Sequence, residues 1–264
     1  MAKAMELIDT HCHLTFEELA GDVEAVIERS KSAGVTGWVT VGTDTKENQK
    51  VIELANRFED MYASVGIHPH YAKDVTAETL TELKRLAQNE KVVAIGETGL
   101  DFHYNFSQQQ DQKRVFAAQL KIAEELNLPV IVHCREAFDE TMEILERYGS
   151  DVKKIVFHCF SGSAEQAKLV LNKGFYISFT GVVTFKNAEK TRRTAGIVPV
   201  DRLMVETDCP YMSPEPMRKQ KVNEPALMIH TAKCLAELKQ MELTDFAEVV
   251  TSTSRSFFTL PQKQ

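Results

Sequence analysis

The sequence predicts an α/β protein of the TIM (β/α)8 barrel class, a single domain over residues 1–264, from three observations. Eight β-rich runs alternate with longer amphipathic stretches, which implies right-handed βαβ crossovers, a parallel sheet and the strand number that closes such a barrel. The length of 264 residues exceeds the roughly 150 of an ordinary domain but suits an α/β barrel, which reaches about 250 as one unit. No GxGxxG or GxxxxGK[ST] turn follows an early strand, which disfavours the alternative, a doubly wound open sheet.

The runs in order are MELIDTHCH (5–13), GWVTVGT (37–43), MYASVGIHP (61–69), VVAIGETGLD (92–101), PVIVHCR (129–135), KIVFHCF (154–160), FYISFTG (175–181) and LMVETDCP (203–210). Several are nearly continuous in hydrophobicity, as strands buried on both faces must be. Between the first two, residues 16–34 place Leu19, Val23, Val26 and Ile27 on one helical face and end at a capping Gly34. Residues 107–127 form a second helical pattern, with Ser107 as its cap and Pro129 opening the next strand. Two further helices, roughly 222–240 and 243–258, finish the chain.

Apolar residues at 43% and charged residues at 26% are ordinary globular composition and exclude a disordered, collagen-like or disulfide-scaffold chain. The 31 basic and 38 acidic side chains give a net charge of −7, which argues against a general basic coat for nucleic acid. MAKAMELIDT carries no apolar run of signal-peptide length, and no stretch reaches the roughly 18 apolar residues of a membrane span, so a cytoplasmic protein without membrane association is expected. Five cysteines without a CxxC indicate neither a disulfide framework nor a thiolate zinc cluster.

The placement of ionisable residues is the sharper signal. His11 and His13 end the first strand two residues apart, so they share a face and can hold one cation. Glu97, His133 and His158 end the fourth, fifth and sixth strands, and Glu206 and Asp208 end the eighth, again two apart. All lie at carboxyl ends, where barrel enzymes gather catalytic groups. One strand-end histidine is ordinarily a hydrogen-bonded core residue. Four histidines with two or three carboxylates on one rim are not, because isolated buried charges are prohibitive and metal resolves them. Six ligands exceed one open site, so two cations are expected: His11, His13 and Asp208 for one, His133 and His158 for the other, Glu97 as bridge. The mixed nitrogen and oxygen set admits Mg²⁺, Mn²⁺ or Zn²⁺. Cys12, Cys134, Cys159 and Cys209 each neighbour a ligand and should face the opposite way, into the sheet–helix layer, while Cys234 reads as helix core.

Weaker candidates surround this set. His68 is placed to contact substrate or to support a ligand, and Arg135 to meet a phosphate or close a helix-end ion pair. Glu206 shares its parity with Asp208 and so can move a proton. His70, Asp101 and His103 fall in loops, the KTRR run at 190–193 reads as a solvated helix face, and Phe102, Tyr104 and Tyr211 are scattered candidates for base stacking. The loop 210–225 is expected to overhang the site.

Six motifs, DTHCH (9–13), GIHPH (66–70), GETGLDFH (96–103), PVIVHCREA (129–137), HCFSGS (158–163) and ETDCPYM (206–212), give the chain an end-to-end resemblance to the TatD family of metal-dependent hydrolases within the amidohydrolase superfamily. The resemblance implies a TIM barrel with a two-cation site on His11, His13, Glu97, His133, His158 and Asp208. It also implies a deoxyribonuclease that trims single-stranded DNA from the 3′ end with Mg²⁺. Two positions depart from the family pattern: Val222, preceded by Lys221, stands where arginine commonly precedes the Asn-Glu-Pro triplet, and Thr253 stands for an asparagine. The expected reaction is phosphodiester hydrolysis, with Glu97, Asp208 and Glu206 as the catalytic carboxylates, His68 and Arg135 on the substrate, and a monomer acting on DNA. Hydrolysis of a small ester, amide or phosphoester by the same centre is the alternative, and a barrel that binds without turnover is a third.

Overall fold

The computed structural model describes residues 5–261, so residues 1–4 and 262–264 of the expected domain, with the first four residues of the MAKAMELIDT stretch, lie outside the described residues. All eight expected strands form: β1 (Leu7–Cys12), β2 (Val35–Val41), β3 (Met61–Val65), β4 (Val92–Asp101), β5 (Val130–Arg135), β6 (Ile155–Phe157), β7 (Tyr176–Phe179) and β8 (Leu203–Val205). They make one sheet in the order β1 to β8, parallel in the pairs β1/β2, β3/β4, β4/β5, β5/β6 and β7/β8, as the (β/α)8 class requires. The helices are α1 (Glu17–Ala20), α2 (Val23–Ser32), α3 (Thr45–Ala55), α4 (Ala77–Leu86), α5 (Gln109–Leu126), α6 (Phe138–Tyr148), α7 (Ala164–Asn172), α8 (Glu189–Ile197), α9 (Met228–Leu238) and α10 (Leu243–Phe258). Among the described residues no helix is long and apolar enough to cross a membrane. The chain forms two compact units, residues 41–158 and the remainder, which joins the segment up to residue 40 to that from 159 onward.

In the discontinuous unit, β1 is buried along its whole length and runs beside the segment after β8: the Asp208 N–H donates to the His11 carbonyl at 2.8 Å and the His13 N–H to the Cys209 carbonyl at 2.9 Å. Leu19, Val23, Val26 and Ile27 are buried as their spacing requires, but the stretch 16–34 breaks at Gly21 and Asp22 into α1 and α2. Gly34 follows at φ +88°, the left-handed conformation that lets the chain turn into β2. Trp38 of β2 donates its indole N–H to Ser30 Oγ of α2 at 2.9 Å, which gives the only tryptophan a polar partner inside the core. The expected helix over 222–240 begins only at Met228, because Pro225 and the buried Asn223 hold the preceding chain out of α-geometry in a 3₁₀ turn at Pro225–Leu227.

In the unit 41–158, β4 is buried at every position and pairs with β3 and β5. Asp44 caps α3 by accepting from the backbone N–H groups of Lys46 and Glu47 at 2.8 and 3.0 Å. Helix α5 buries Val115, Phe116, Leu120 and Ala123 and ends on a left-handed Asn127 at φ 54°. Ser107 does not cap it: its hydroxyl donates to the His70 carbonyl at 2.8 Å and accepts from Lys73 N–H at 3.0 Å, and Gln108 occupies the cap position.

Candidate metal centre

Three donor atoms face one another in the discontinuous unit. His11 Nε2 and His13 Nε2 are 3.2 Å apart, and Asp208 Oδ1 lies 3.6 Å from the first and 3.3 Å from the second. His11 near the end of β1 and His13 just beyond it turn their Nε2 atoms to each other, as their spacing of two predicts. Asp208 arrives differently: β8 ends at Val205, and Asp208 adopts φ 52°, so a turn rather than strand parity aims its carboxylate. That turn is anchored by Asp9, a residue the sequence reading passed over. Its Oδ1 accepts Thr207 N–H at 3.0 Å, and its Oδ2 accepts the Thr207 hydroxyl at 2.6 Å. Asp9 has the parity of His11 and His13, which is the signal that identifies it. Burial pushes its carboxyl up to about 7 against the lowering effect of the Thr207 bonds. Glu206 is buried beside this turn, and its Oε1 accepts the Cys159 backbone N–H at 2.6 Å.

The unit 41–158 holds the second set. Glu97 Oε1 is 2.6 Å from His133 Nδ1, 2.7 Å from His158 Nε2 and 3.5 Å from His68 Nε2, while the His133 and His158 nitrogens are 3.4 Å apart. Glu97, His133 and His68 qualify by distance as a group able to hold an ion. Register explains part of this: Val132 pairs with Phe157, so His133 and His158 are the next residues on adjacent strands. Gly99 supplies another part. It pairs with His133 at φ +140°, and a Cβ there would fall 2.0 Å from the His133 carbonyl oxygen, so only glycine lets the strands meet here.

Asp101 is not in a loop. It is the last residue of β4 and 1% exposed; its Oδ2 lies 3.0 Å from His133 Nε2 and 3.1 Å from His70 Nε2, and Oδ1 accepts the His103 and Tyr104 N–H groups. Glu97, Gly99 and Asp101 are successive residues of one parity, so the alternation used for Glu97 also reaches Asp101. Burial favours the neutral acid, but the bonds from His133, His70 and the Tyr104 N–H outweigh it and hold the carboxyl well below the usual range. For His133 burial opposes the charge, and the Asp101 and Glu97 carboxylates prevail and raise it. His68 goes the other way: burial lowers it to about 4 despite Glu97. Its Nδ1 accepts the His70 N–H at 3.2 Å, so the neutral ring carries its proton on Nε2.

Two imidazole nitrogens and one carboxylate oxygen in each set are a donor chemistry that suits a divalent cation, and the facing donor atoms fit one better than they fit each other. The thiols add nothing to either set. Burial raises Cys12 and carries Cys134 up to about 11, and Cys134 accepts from Thr141 of α6, on the helix side as expected. Cys159 departs from that reading: its left-handed φ of 44° takes Sγ to Thr180 and Met212 rather than to a helix. In the KTRR run Arg192 is occupied by the carbonyls of Val183, Phe185 and Lys186, and Arg193 by Glu189. After Val222, Asn223 donates to the carbonyls of Thr207 and Tyr211 at 3.1 and 2.7 Å, and Arg29 of α2 grips Glu224, which ties the loop to the Asp208 turn.

The chain matches the TatD related DNase family over residues 8–259. It is 42% identical over 252 residues to the uncharacterized metal-dependent hydrolase YabD of Bacillus subtilis, covering 96% of this chain and 98% of that protein. It is 36% identical over 259 residues to the 3′-5′ ssDNA/RNA exonuclease TatD of Erwinia tasmaniensis, covering 96% and 100%. The crystal structure of YJJV, a TatD homolog from Escherichia coli K12, matches with a TM-score of 0.91 at 31% identity, covering 98% of this chain and 100% of that one. Histidine–carboxylate sets at strand ends and a match along nearly the whole chain agree: the chain belongs to the TatD family and is a metal-dependent hydrolase.

Proposed function

We propose that this hydrolase cleaves the phosphodiester bonds of single-stranded DNA in the 3′-to-5′ direction, as a cytoplasmic monomer and a single catalytic domain. Two divalent cations serve it, Mg²⁺ foremost, with Mn²⁺ and Zn²⁺ admitted by the donors. The observation that carries this reading is the doubling of the donor set: His11, His13 and Asp208 within 3.6 Å in one unit, Glu97, His133 and His158 within 3.4 Å in the other. The polarity and the single-stranded substrate are supported by what the Erwinia relative is named for, and the compartment by five cysteines that stand as thiols.

When bound, a divalent cation polarises a phosphoryl oxygen and makes water a stronger acid. The protein's own groups do the rest. Asp208, through the carboxylate oxygen that does not face His11 and His13, would accept the proton of the attacking water and return it to the leaving oxygen as the P–O bond breaks, and Glu206, buried two residues away, is a second acceptor. His68, neutral at physiological pH with its proton on Nε2, donates to a phosphate oxygen. Asp101 touches no substrate in this scheme; it positions His133 and His70 by bonding both.

A single-stranded oligonucleotide labelled at either end, incubated with protein and Mg²⁺ or Mn²⁺, should shorten stepwise from its 3′ end. Glu97→Ala and Asp208→Ala, one in each unit, should each slow this by at least about a hundredfold. DNA left intact, or variants that cut like the parent, overturns the reading, and turnover of small esters alone would favour the alternative.

A further inference from the structure

The unit 41–158 carries an aromatic shelf that neither the fold nor the hydrolytic step requires. Tyr104 and Phe106 follow β4 and are 49% and 57% exposed. Their rings lie parallel within 4° with centroids 5.5 Å apart, an offset stack with about half of each residue open to solvent. The Arg135 guanidinium stands 4.7 Å from the Tyr104 ring centroid, carried at the end of β5 by the register that pairs Arg135 with Asp101. The neighbouring Glu136 carboxylate is engaged by His103 Nδ1 at 2.8 Å, not by Arg135.

The shelf is continuous with the histidine cluster. The His70 ring meets Phe106 edge-on at 4.8 Å and Tyr104 at 5.6 Å, and its Nε2 is bonded to Asp101, which holds His133. The His70 imidazole and the Asp101 carboxylate therefore link the stacked rings to a candidate metal ligand.

We propose that Tyr104, Phe106 and Arg135 bind one unpaired nucleotide of a single-stranded DNA substrate, its base stacked on the rings and its phosphate on the guanidinium. The inference rests on the nuclease reading above. Three features of the shelf select this occupant. A π-face accepts any base, which suits an enzyme that must pass along a strand of arbitrary sequence. The guanidinium supplies planar donors to a phosphodiester, which an apolar protein or lipid partner has no use for. A duplex keeps its base faces stacked on one another, so only an unpaired base can use the rings.

The test compares a fluorescent oligo-dT with bis(4-nitrophenyl) phosphate, a diester without bases, on the metal-loaded protein. Tyr104→Ala with Phe106→Ala should raise KM for the oligonucleotide at least about fivefold and leave kcat within about twofold. The ratio of kcat/KM on the oligonucleotide to that on the small diester should fall accordingly. Tyr104→Leu, which keeps apolar bulk but no π-face, should lose affinity, and Tyr104→Trp should keep it. Arg135→Gln should raise KM and reduce the slope of log KM against log salt by about one. If the parent degrades the oligonucleotide and the Tyr104 and Phe106 variants keep its KM, the shelf is overturned and the nuclease reading stands. An equal fall on both substrates also overturns it, as damage to the folded site. A parent that hydrolyses only the small diester overturns both.

Discussion

Asp9 and Asp101 are both carboxylates buried within a few residues of candidate ligands, yet their environments drive them in opposite directions. Asp101 receives hydrogen bonds from two imidazoles and two backbone amides, and these outweigh burial. Asp9 has only Thr207 and the His11 amide, with Glu206 nearby to repel its charge, and burial takes it from 3.8 to about 7. A raised carboxyl means that the folded protein binds more protons than the unfolded chain, so its contribution to stability falls as pH rises from about 4 to about 7 and is level above that. His68, lowered from 6.5 to about 4, contributes the opposite slope over much of the same range. The contribution of Asp9 is therefore isolated by difference. In chelator-treated protein, the stability of the parent minus that of Asp9→Asn should decline between pH 4 and 7, read from urea midpoints, and a flat difference would refute the assignment.

Elements reach these residues through buried side-chain amides. On α5, Gln119 accepts the Ile67 N–H at 2.7 Å and donates to the Ile67 carbonyl and to Thr98 Oγ1, while Gln112 accepts the Asp101 N–H and donates to its carbonyl. The helix thereby satisfies the backbone where β4 and the chain after β3 leave regular pairing. Replacing Gln119 with leucine would keep the volume but leave those groups buried without partners, at about 1–3 kcal/mol each. A loss of at least about 2 kcal/mol in chemical denaturation is expected, together with a fall in kcat as His68 and Glu97 lose their support. In the sequence α5 reads as an amphipathic stripe, and Gln112 and Gln119 look like ordinary polar residues. Periodicity reports which face is buried; it does not report that a polar residue on that face has a backbone to satisfy.

For the whole molecule, the proposed cation sites are assembled only in the native state, so a cation that fills them is bound by the folded protein and not by the unfolded chain. Millimolar Mg²⁺ or Mn²⁺ should raise the melting temperature of chelator-treated protein, through a stabilisation of about 2.7 kcal/mol when the ion stands at a hundred times its Kd. Asp208→Asn and Glu97→Gln should each remove part of that shift, and a melting temperature indifferent to metal would speak against both sets. The net charge of −7 takes on a different weight in this light, since two of the acidic groups that produce it, Asp208 and Glu97, are those a cation would neutralise.

The sequence by itself determined the eight strands, their order and the strand-end ionisable residues, because alternating hydrophobicity and a period of two are properties of the chain alone. It placed His11 and His13 together and held the signal for Asp101 and Asp9 in the same parity. Only the tertiary structure decided what regular strands do not reach. The positive φ of Asp208 aims its carboxylate at His11 and His13, the missing Cβ of Gly99 lets His133 approach, and Tyr104, Phe106 and Arg135 become one surface through the register of β4 on β5. Each of these depends on which backbone lies beside which, and local sequence carries no record of that.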